Sequence, residues 1–161
     1  MRKPLYILVL ICLSACGQRG GKYNAISTIP SFNLLLMDSA TVINTNQIQK
    51  GAPVVLMYFS PDCEHCQIEI QSLVKNAHLL GDTKIYLFTP APFDELKAFY
   101  KTNNLGQYRN FVVGKDYEYA FYKHFKAESF PYTVVYDSQR KLVRLYKSEI
   151  EISNILEAIK I

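Results

Sequence analysis

The chain has no tryptophan, no internal repeat and only four cysteines among its 161 residues: Cys12, Cys16, Cys63 and Cys66. Only Cys63 and Cys66 lie in the body of the chain, which excludes a framework of structural disulfides and a zinc site built from two cysteine pairs. A basic run is also lacking, since 18 Lys and Arg face 14 Asp and Glu for a net charge of +4. This balance gives no reason to expect nucleic acid as a partner.

The N-terminal apolar stretch Leu5–Leu13 is too short to cross a bilayer, which needs about 20 residues. It follows the basic start Met1–Lys3 and ends in small residues before Cys16, an arrangement typical of a secretory signal. Its end, Leu-Ser-Ala-Cys, resembles the lipobox of bacterial lipoproteins, in which the signal is cut before the cysteine and lipid is attached. We therefore predict a lipoprotein signal peptide over 1–15 and lipidation at Cys16. An ordinary signal that leaves a free Cys16 thiol, or a short membrane anchor, are the alternatives.

Cleavage at this point would leave a tether and one domain. Residues Gly17–Lys22 are polar and rich in glycine, and we predict a lipidated flexible tether over 16–28. The remaining stretch, 29–161, is long enough for one domain with a proper core. Loss of residues 1–15 removes two bases and no acid, so the net charge falls from +4 to +2.

The most informative motif is Cys63-Glu64-His65-Cys66, which follows the apolar run Val54–Phe59. A buried strand that leads into two cysteines at the start of a helix is suited to reversible disulfide chemistry. The first helical turn offers free N–H groups and the positive end of the macrodipole, and both favour the thiolate, which is the nucleophile. The i, i+3 spacing places both sulfurs on one face, within the span that a disulfide requires.

Other uses of the two cysteines fit the sequence less well. A disulfide across so short a loop would stabilise the fold little. Zinc needs four ligands, and neither His78 nor His124 has motif spacing to Cys63. Haem attachment needs histidine after the second cysteine, where this chain has Gln67. We therefore predict disulfide exchange without a metal or a cofactor.

Hydrophobic periodicity predicts alternating strands and helices. Val54–Phe59 is expected to be a strand buried on both faces, followed by a helix from about Cys63 to Leu80. Asp62 is expected to cap this helix and Gly81 to end it. The other predicted strands are Phe32–Leu36, Thr41–Ile43, Lys84–Thr89, Asn110–Val113, Tyr132–Tyr136 and Lys141–Tyr146, and the other predicted helices are Phe93–Lys101, Lys115–Lys126 and Glu149–Lys160. This order predicts an α/β fold with helices on both faces of a mixed sheet.

The pattern resembles the thioredoxin fold, and more narrowly the exported, membrane-tethered thiol–disulfide oxidoreductases of the TlpA/ResA type in the redoxin group. The resemblance covers roughly Ile29–Ile161. It rests on the segment Phe59–Cys66, on Phe130-Pro131-Tyr132-Thr133 before a strand, and on the N-terminal hairpin. It implies a thioredoxin-like three-layer fold with a mixed central sheet, an N-terminal hairpin and an inserted helix and strand.

The resemblance also implies roles for individual residues. Cys63, at the helix start, is expected to be the catalytic nucleophile and Cys66 the resolving thiol of the same disulfide. Pro131 matches a catalytic cis-proline that faces the disulfide and helps to hold the substrate backbone, and Phe130 is expected to line the substrate groove. From the sequence alone, Pro131 could be ordinary punctuation at a strand start. Thioredoxins usually have tryptophan before the first cysteine, where this chain has Asp62.

The two residues between the cysteines are expected to tune the reduction potential. A charged His65 would stabilise a Cys63 thiolate and make the protein more oxidising. Glu64 would oppose this effect, because like charges destabilise each other.

The resemblance implies an oxidoreductase of the bacterial cell envelope, periplasm-facing and lipid-anchored to a membrane through Cys16. Its expected partners are client proteins with cysteines or disulfides and a membrane thiol relay as electron donor. Reduction is the expected direction, with apocytochrome c cysteines as one candidate target.

Two alternatives stay open. One is a peroxiredoxin-like thiol peroxidase, for which Ser60 fits the Pro-x-x-x-Thr-x-x-Cys signature but Leu56 does not. The other is a copper-handling module that uses Cys63 and Cys66.

Overall fold

The structure, a computed structural model, describes residues 27–160. The predicted signal peptide over 1–15, the predicted lipidation site Cys16 and the predicted tether as far as residue 26 lie outside the described residues. Within 27–160, no helix has both the length and the apolarity needed to cross a membrane.

The described chain forms seven strands and four α-helices in the alternating order that the sequence predicts. The strands are β1 (Asn33–Leu36), β2 (Val42–Asn44), β3 (Val54–Tyr58), β4 (Lys84–Thr89), β5 (Phe111–Lys115), β6 (Tyr132–Tyr136) and β7 (Leu142–Tyr146). The helices are α1 (Glu64–Lys75), α2 (Phe93–Thr102), α3 (Ala120–Phe125) and α4 (Ile152–Ala158). The bounds of β4 and β6 agree with the predicted ones, and the other strands differ by one or two residues at one end or at both.

The seven strands form one mixed sheet in the order β2-β1-β5-β4-β3-β6-β7. β3, β4 and β5 are parallel, and β6 and β7 extend the sheet antiparallel from β3. The N-terminal hairpin of β1 and β2 joins the other side, through an antiparallel pair between β1 and β5. The mixed sheet and the hairpin are therefore confirmed, and α2 with β5 forms the inserted helix and strand.

Two hydrophobic layers cover the sheet, one on each face. On one face, α1, α2 and α4 pack through residues such as Ile70, Phe99 and Ile155. On the other face, α3 packs through Phe121 and Phe125, together with the segment that precedes β1. Side chains of β3 alternate between the two layers and all five are buried, which explains why this run is apolar throughout.

The helix that carries the cysteine motif is shorter than predicted. α1 ends at Lys75 rather than Leu80. Asn76 follows it, and the side-chain amide of Asn76 donates to the Ser72 carbonyl at 2.8 Å. A side chain that bonds a carbonyl in this way competes with the backbone and ends the helix.

The predicted helix over 115–126 is also too long, because its first half is not helical. Lys115 still belongs to β5, and α3 begins only at Ala120. Asp116 is fully buried, and its carboxylate accepts the N–H groups of Ala120 and Phe121 at 2.8 and 3.0 Å. The acid therefore caps the helix instead of lying within it.

The last helix likewise begins later than predicted, at Ile152 rather than Glu149. Glu149 and Ile150 lie in the loop after β7. Both residues form hydrogen bonds with side chains of α1, which hold this part of the chain away from a helical course.

Candidate active site

The cysteine motif lies where β3 passes into α1, at the carboxyl end of the parallel strands. The N–H of Cys63 donates to the Ser60 carbonyl at 3.2 Å across the connecting turn. Cys63 is the N-cap of α1, and its sulfur accepts the N–H of Cys66 at 3.3 Å. The predicted cap at Asp62 is therefore wrong, since the Asp62 carboxylate accepts a hydrogen bond from the Ser60 hydroxyl instead.

The start of α1 presents Cys63 and hides Cys66. Both are free thiols, and their sulfur atoms lie 2.6 Å apart. Cys66 is fully buried, whereas Cys63 is partly exposed. A client disulfide can therefore reach Cys63 but not Cys66. The backbone N–H that points at the Cys63 sulfur would stabilise a thiolate there.

Burial raises the pKa of the Cys66 thiol far above its ordinary value. Its contact with Cys63 and the charge of Glu69 raise this pKa further. Cys66 therefore stays protonated at neutral pH. A resolving thiol in this state needs a nearby base before it can attack.

Glu69 is a buried carboxylate one helical turn beyond Cys66, and only 1% of the residue is exposed. Its Oε1 accepts a hydrogen bond from the Thr133 hydroxyl at 2.7 Å, and its Oε2 accepts one from the Ile150 N–H at 3.2 Å. Burial raises the pKa of Glu69 to about 7, although these two hydrogen bonds lower it, and the charge of Glu149 raises it. A carboxyl group that titrates near neutral pH is suited to proton transfer.

Reasoning from the sequence missed Glu69, although a signal was present. Cys66, Ile70 and Leu73 define the buried face of α1, and Glu69 falls on that same face. A single acid among apolar residues is a buried polar group that needs hydrogen-bond partners. Its partners come from β6 and from the loop after β7, so only the folded chain reveals them.

The two residues between the cysteines, Glu64 and His65, are both exposed. Nδ1 of His65 lies 2.5 Å from Oε2 of Glu149. The fold therefore places the Glu149 carboxylate beside His65, the residue that was expected to stabilise a Cys63 thiolate. Sequence reasoning missed Glu149, because it is 84 residues from His65 along the chain. Redox tuning by Glu64 and His65 stays a prediction.

The segment Phe130-Pro131 lies beside the cysteine motif, because β6 pairs with β3. The Phe130–Pro131 peptide bond is cis, in agreement with the resemblance. Pro131 is buried and Phe130 is half-buried. Both residues line a cavity of about 400 Å³, together with His65 and Glu149. A catalytic role for Pro131 and a substrate-groove role for Phe130 stay predictions.

The other aromatic and histidine candidates pack in the core or against it. Tyr58, Phe59 and Tyr132 are buried. His124 is half-buried, and its ring packs edge-on against Phe125 with 4.8 Å between the ring centres. Within residues 27–160, no group of three or more His, Cys, Asp and Glu side chains is arranged to hold a metal ion.

A mixed sheet of this order, with a cysteine pair at the start of a helix and a cis-proline beside it, defines a thioredoxin-like site for thiol–disulfide exchange. The chain belongs to the AhpC/TSA family, whose model matches residues 27–156. This match confirms the predicted membership of the thioredoxin-fold redoxin group. The protein is thus a redoxin thiol–disulfide oxidoreductase with a Cys-x-x-Cys motif.

Solved structures confirm the thioredoxin-like fold. A secreted disulfide oxidoreductase of Mycobacterium tuberculosis, homologous to E. coli DsbE, shares 17% identity over 85% of this chain and 97% of its own, with a TM-score of 0.67. DsbF of M. tuberculosis shares 13% identity over 84% and 95%, with a TM-score of 0.69. The peroxidoxin BcpB of M. tuberculosis shares 16% identity over 83% and 94%, with a TM-score of 0.65. No curated protein matches the chain.

Proposed function

We propose that the protein reduces disulfides of client proteins in the cell envelope of a bacterium. The observation that carries this proposal is the pairing of an accessible Cys63 with a buried Cys66, whose sulfur atoms are 2.6 Å apart. Such a pair can capture a client as a mixed disulfide and then release it.

In the proposed reaction, the Cys63 thiolate attacks one sulfur of a client disulfide, and the other client sulfur leaves as a thiolate that takes up a proton. Cys66 then loses its proton and attacks Cys63 Sγ, which breaks the mixed disulfide and releases the second client thiol. The client gains two electrons and two protons, and Cys63 and Cys66 become a disulfide. A membrane thiol relay is the proposed source of the electrons that restore the dithiol.

Glu69 is the proposed acceptor of the Cys66 proton. It lies one turn along α1, and its charge contributes to the raised pKa of Cys66. Its own pKa of about 7 allows the carboxylate to accept a proton and to release it afterwards. Pro131 and Phe130 are proposed to contact the client backbone, since they line the cavity that His65 also borders.

The charges around Cys63 favour reduction over oxidation. A strongly oxidising member of this fold owes its potential to a stabilised reduced form. His65 could provide such stabilisation, but Glu149 lies 2.5 Å away and offsets its charge, and exposed Asp62 adds negative charge. A dithiol that has less stabilisation from nearby charges gives up its electrons more readily.

Reduction of a model protein disulfide tests the proposal. The wild-type chain should reduce insulin in the presence of a dithiol donor, and Cys63→Ser should abolish the reaction. Cys66→Ser should accumulate a mixed disulfide with the client, because the resolving thiol is gone. Alkylation trapping in cells should find the pair mostly reduced. Turnover by Cys63→Ser, or a pair that is mostly oxidised in cells, would contradict this function.

Export and lipid attachment form the second part of the proposal. The composition of residues 1–15 supports a signal peptide, and one structural neighbour is a secreted protein. Cys16 would carry the lipid, and 16–28 would tether the domain over 29–161. Labelled palmitate should enter the wild-type protein but not Cys16→Ser. Retention of the label by Cys16→Ser would exclude lipidation at this residue.

A thiol peroxidase is the second candidate, favoured by the AhpC/TSA match and by the Ser60 hydroxyl three residues before Cys63. Rapid peroxide consumption that Cys63→Ser abolishes, without reduction of insulin, would favour it. For the copper-handling alternative, no His, Asp or Glu side chain joins Cys63 and Cys66 in an arrangement that could hold a metal ion among residues 27–160. Stoichiometric Cu(I) capture without disulfide turnover would be needed to support it.

A further inference from the structure

Two grooves are lined by residues of the segment 61–66, and a third groove shares Phe130 with one of them. The charge of these three grooves differs from that of the whole chain. The carboxylates that line them are Asp62, Glu95, Glu128, Glu149 and Glu151. The basic side chains among the described lining residues are His65 and Lys147. Acids thus outnumber bases along these grooves, although the chain carries a net charge of +4. A positively charged segment is the complementary partner for this face.

One of these grooves is walled by exposed tyrosines. This tyrosine groove encloses about 390 Å³, and Tyr58, Tyr119, Tyr122, Glu128 and Phe130 are among the residues that line it. Tyr119 is 52% exposed and Tyr122 is 45% exposed. Exposed tyrosines beside a reactive site are typical of binding surfaces, because a tyrosine buries a large apolar area at low entropic cost and keeps a polar tip.

The fold holds the tyrosine groove in shape. The backbone of Tyr119 has a φ of 54°, a left-handed conformation that a bulky side chain rarely adopts. The turn that contains it is fixed by the buried Asp116 carboxylate, which accepts two N–H groups at the start of α3. The ring of Tyr58, which also lines the groove, packs against two other aromatic rings. Its centre lies 5.1 Å from that of Phe130 and 4.9 Å from that of Phe121. A preformed groove binds its ligand without a cost of rearrangement.

Phe130 connects the tyrosine groove to the cavity beside the cysteine motif. It also lines the cavity beside Pro131, which His65 of the cysteine motif borders. A single extended chain could therefore place its cysteine near Cys63 and a neighbouring side chain between the tyrosines. Glu128 lies in the same groove and would face the next residue of such a chain.

We propose that the tyrosine groove binds an apolar or aromatic side chain of the client segment that carries the target cysteine, and that Glu128 contacts a lysine or arginine next to it. The partner is thus an extended, positively charged polypeptide with an aromatic residue close to its cysteine. The inference rests on the proposed function, because it names the kind of client that the cysteine pair receives.

Peptide binding tests the groove independently of redox chemistry. The probes are a set of labelled peptides with serine in place of the target cysteine. Each peptide carries one Phe-Lys pair, and the position of the pair differs from peptide to peptide within three residues of the serine. Each probe has a counterpart with Ser-Glu at the same place. At least one Phe-Lys peptide should bind the wild-type protein about tenfold more tightly than its counterpart, which corresponds to the burial of one aromatic side chain.

The double variant Tyr119→Asn/Tyr122→Gln should lose this preference. Asparagine tolerates the left-handed backbone at 119, and glutamine suits the helical position 122, so the fold should survive. Tyr117→Asn is the matched control, since Tyr117 is 40% exposed in the same turn but is not among the lining residues. It should keep the preference.

Two outcomes would overturn the inference: equal binding of each probe and its counterpart by the wild type, or a preference that the double variant retains. Reduction of cystine, which is too small to need the groove, separates this result from the proposed function. If a Phe-Lys probe binds as expected but cystine and insulin are not reduced, the groove stands and the reductase proposal fails. If cystine and insulin are reduced but the wild type shows no preference for a Phe-Lys peptide, the reductase proposal is supported and the groove proposal fails.

Discussion

Replacing Glu69 with glutamine should remove one pH-dependent contribution to the stability of the fold. Glu69 has its ordinary pKa of 4.5 when it is exposed, and burial raises this pKa to about 7 in the folded chain. Between these values the folded chain holds a proton that the unfolded chain has released, so the free energy of unfolding falls as pH rises through this window. The loss amounts to about 3 kcal/mol and is complete by about pH 8.

Glutamine does not titrate, so it removes this pH-dependent loss of stability, but it also removes the hydrogen bond to the Ile150 N–H. Its side-chain oxygen can still accept from the Thr133 hydroxyl, whereas its NH₂ group would face the Ile150 N–H, at a cost of about 1 kcal/mol. The variant should therefore be about 1 kcal/mol less stable than the wild type at pH 4 and about 2 kcal/mol more stable at pH 8. The two stability curves should cross at about pH 5.

Urea unfolding of the reduced protein between pH 4 and pH 8, followed by circular dichroism, measures this difference. Glu64→Gln is the matched control, because it removes an exposed carboxylate from the first turn of the same helix. It should change the free energy of unfolding by less than about 1 kcal/mol, without a step near neutral pH. A difference between Glu69→Gln and the wild type that is the same at every pH would refute the reasoning.

Three further substitutions test the surroundings of the site. Thr133→Val removes a hydrogen bond that lowers the pKa of Glu69, so the pH step in wild-type stability should move to higher pH in the same urea series; an unmoved step would contradict this coupling. Asp116→Ala removes the cap of α3 and should lower the free energy of unfolding by about 1–2 kcal/mol, while the rate of cystine reduction stays unchanged. Phe121→Ala should cost about 3–5 kcal/mol in the same measurement, because its ring is fully buried among other aromatic rings; a loss below about 1 kcal/mol would mean that this layer is loosely packed.

The parts of the fold that could be predicted are those with local signals. The buried strands β3 and β4 are continuous apolar runs, and the cysteine pair lies directly after the first of them. Spacing alone put Cys63 and Cys66 on one helical face, and the structure brings their sulfurs to 2.6 Å. The reactive part of the site was therefore accessible to sequence reasoning.

The parts that could not be predicted depend on contacts between distant segments. Glu69 is bonded from β6 and from the loop after β7, and His65 meets Glu149 from that same loop. Asp116 follows a strand and precedes aromatic residues at helical spacing, so the pattern indicated a helix where the buried carboxylate forms a cap. In each case a polar side chain has partners that periodicity does not encode.

The position of Glu69 itself bears on function. At neutral pH and above, its buried charge lowers stability, and a neutral side chain would remove that loss. The same burial gives the carboxyl group a pKa at which it can exchange a proton with Cys66, one turn away on α1. An exposed glutamate with its ordinary pKa would be a much weaker base toward a thiol whose own pKa is raised. The destabilising burial and the proposed proton transfer would therefore have one physical cause, which is the low polarity around Glu69 in α1.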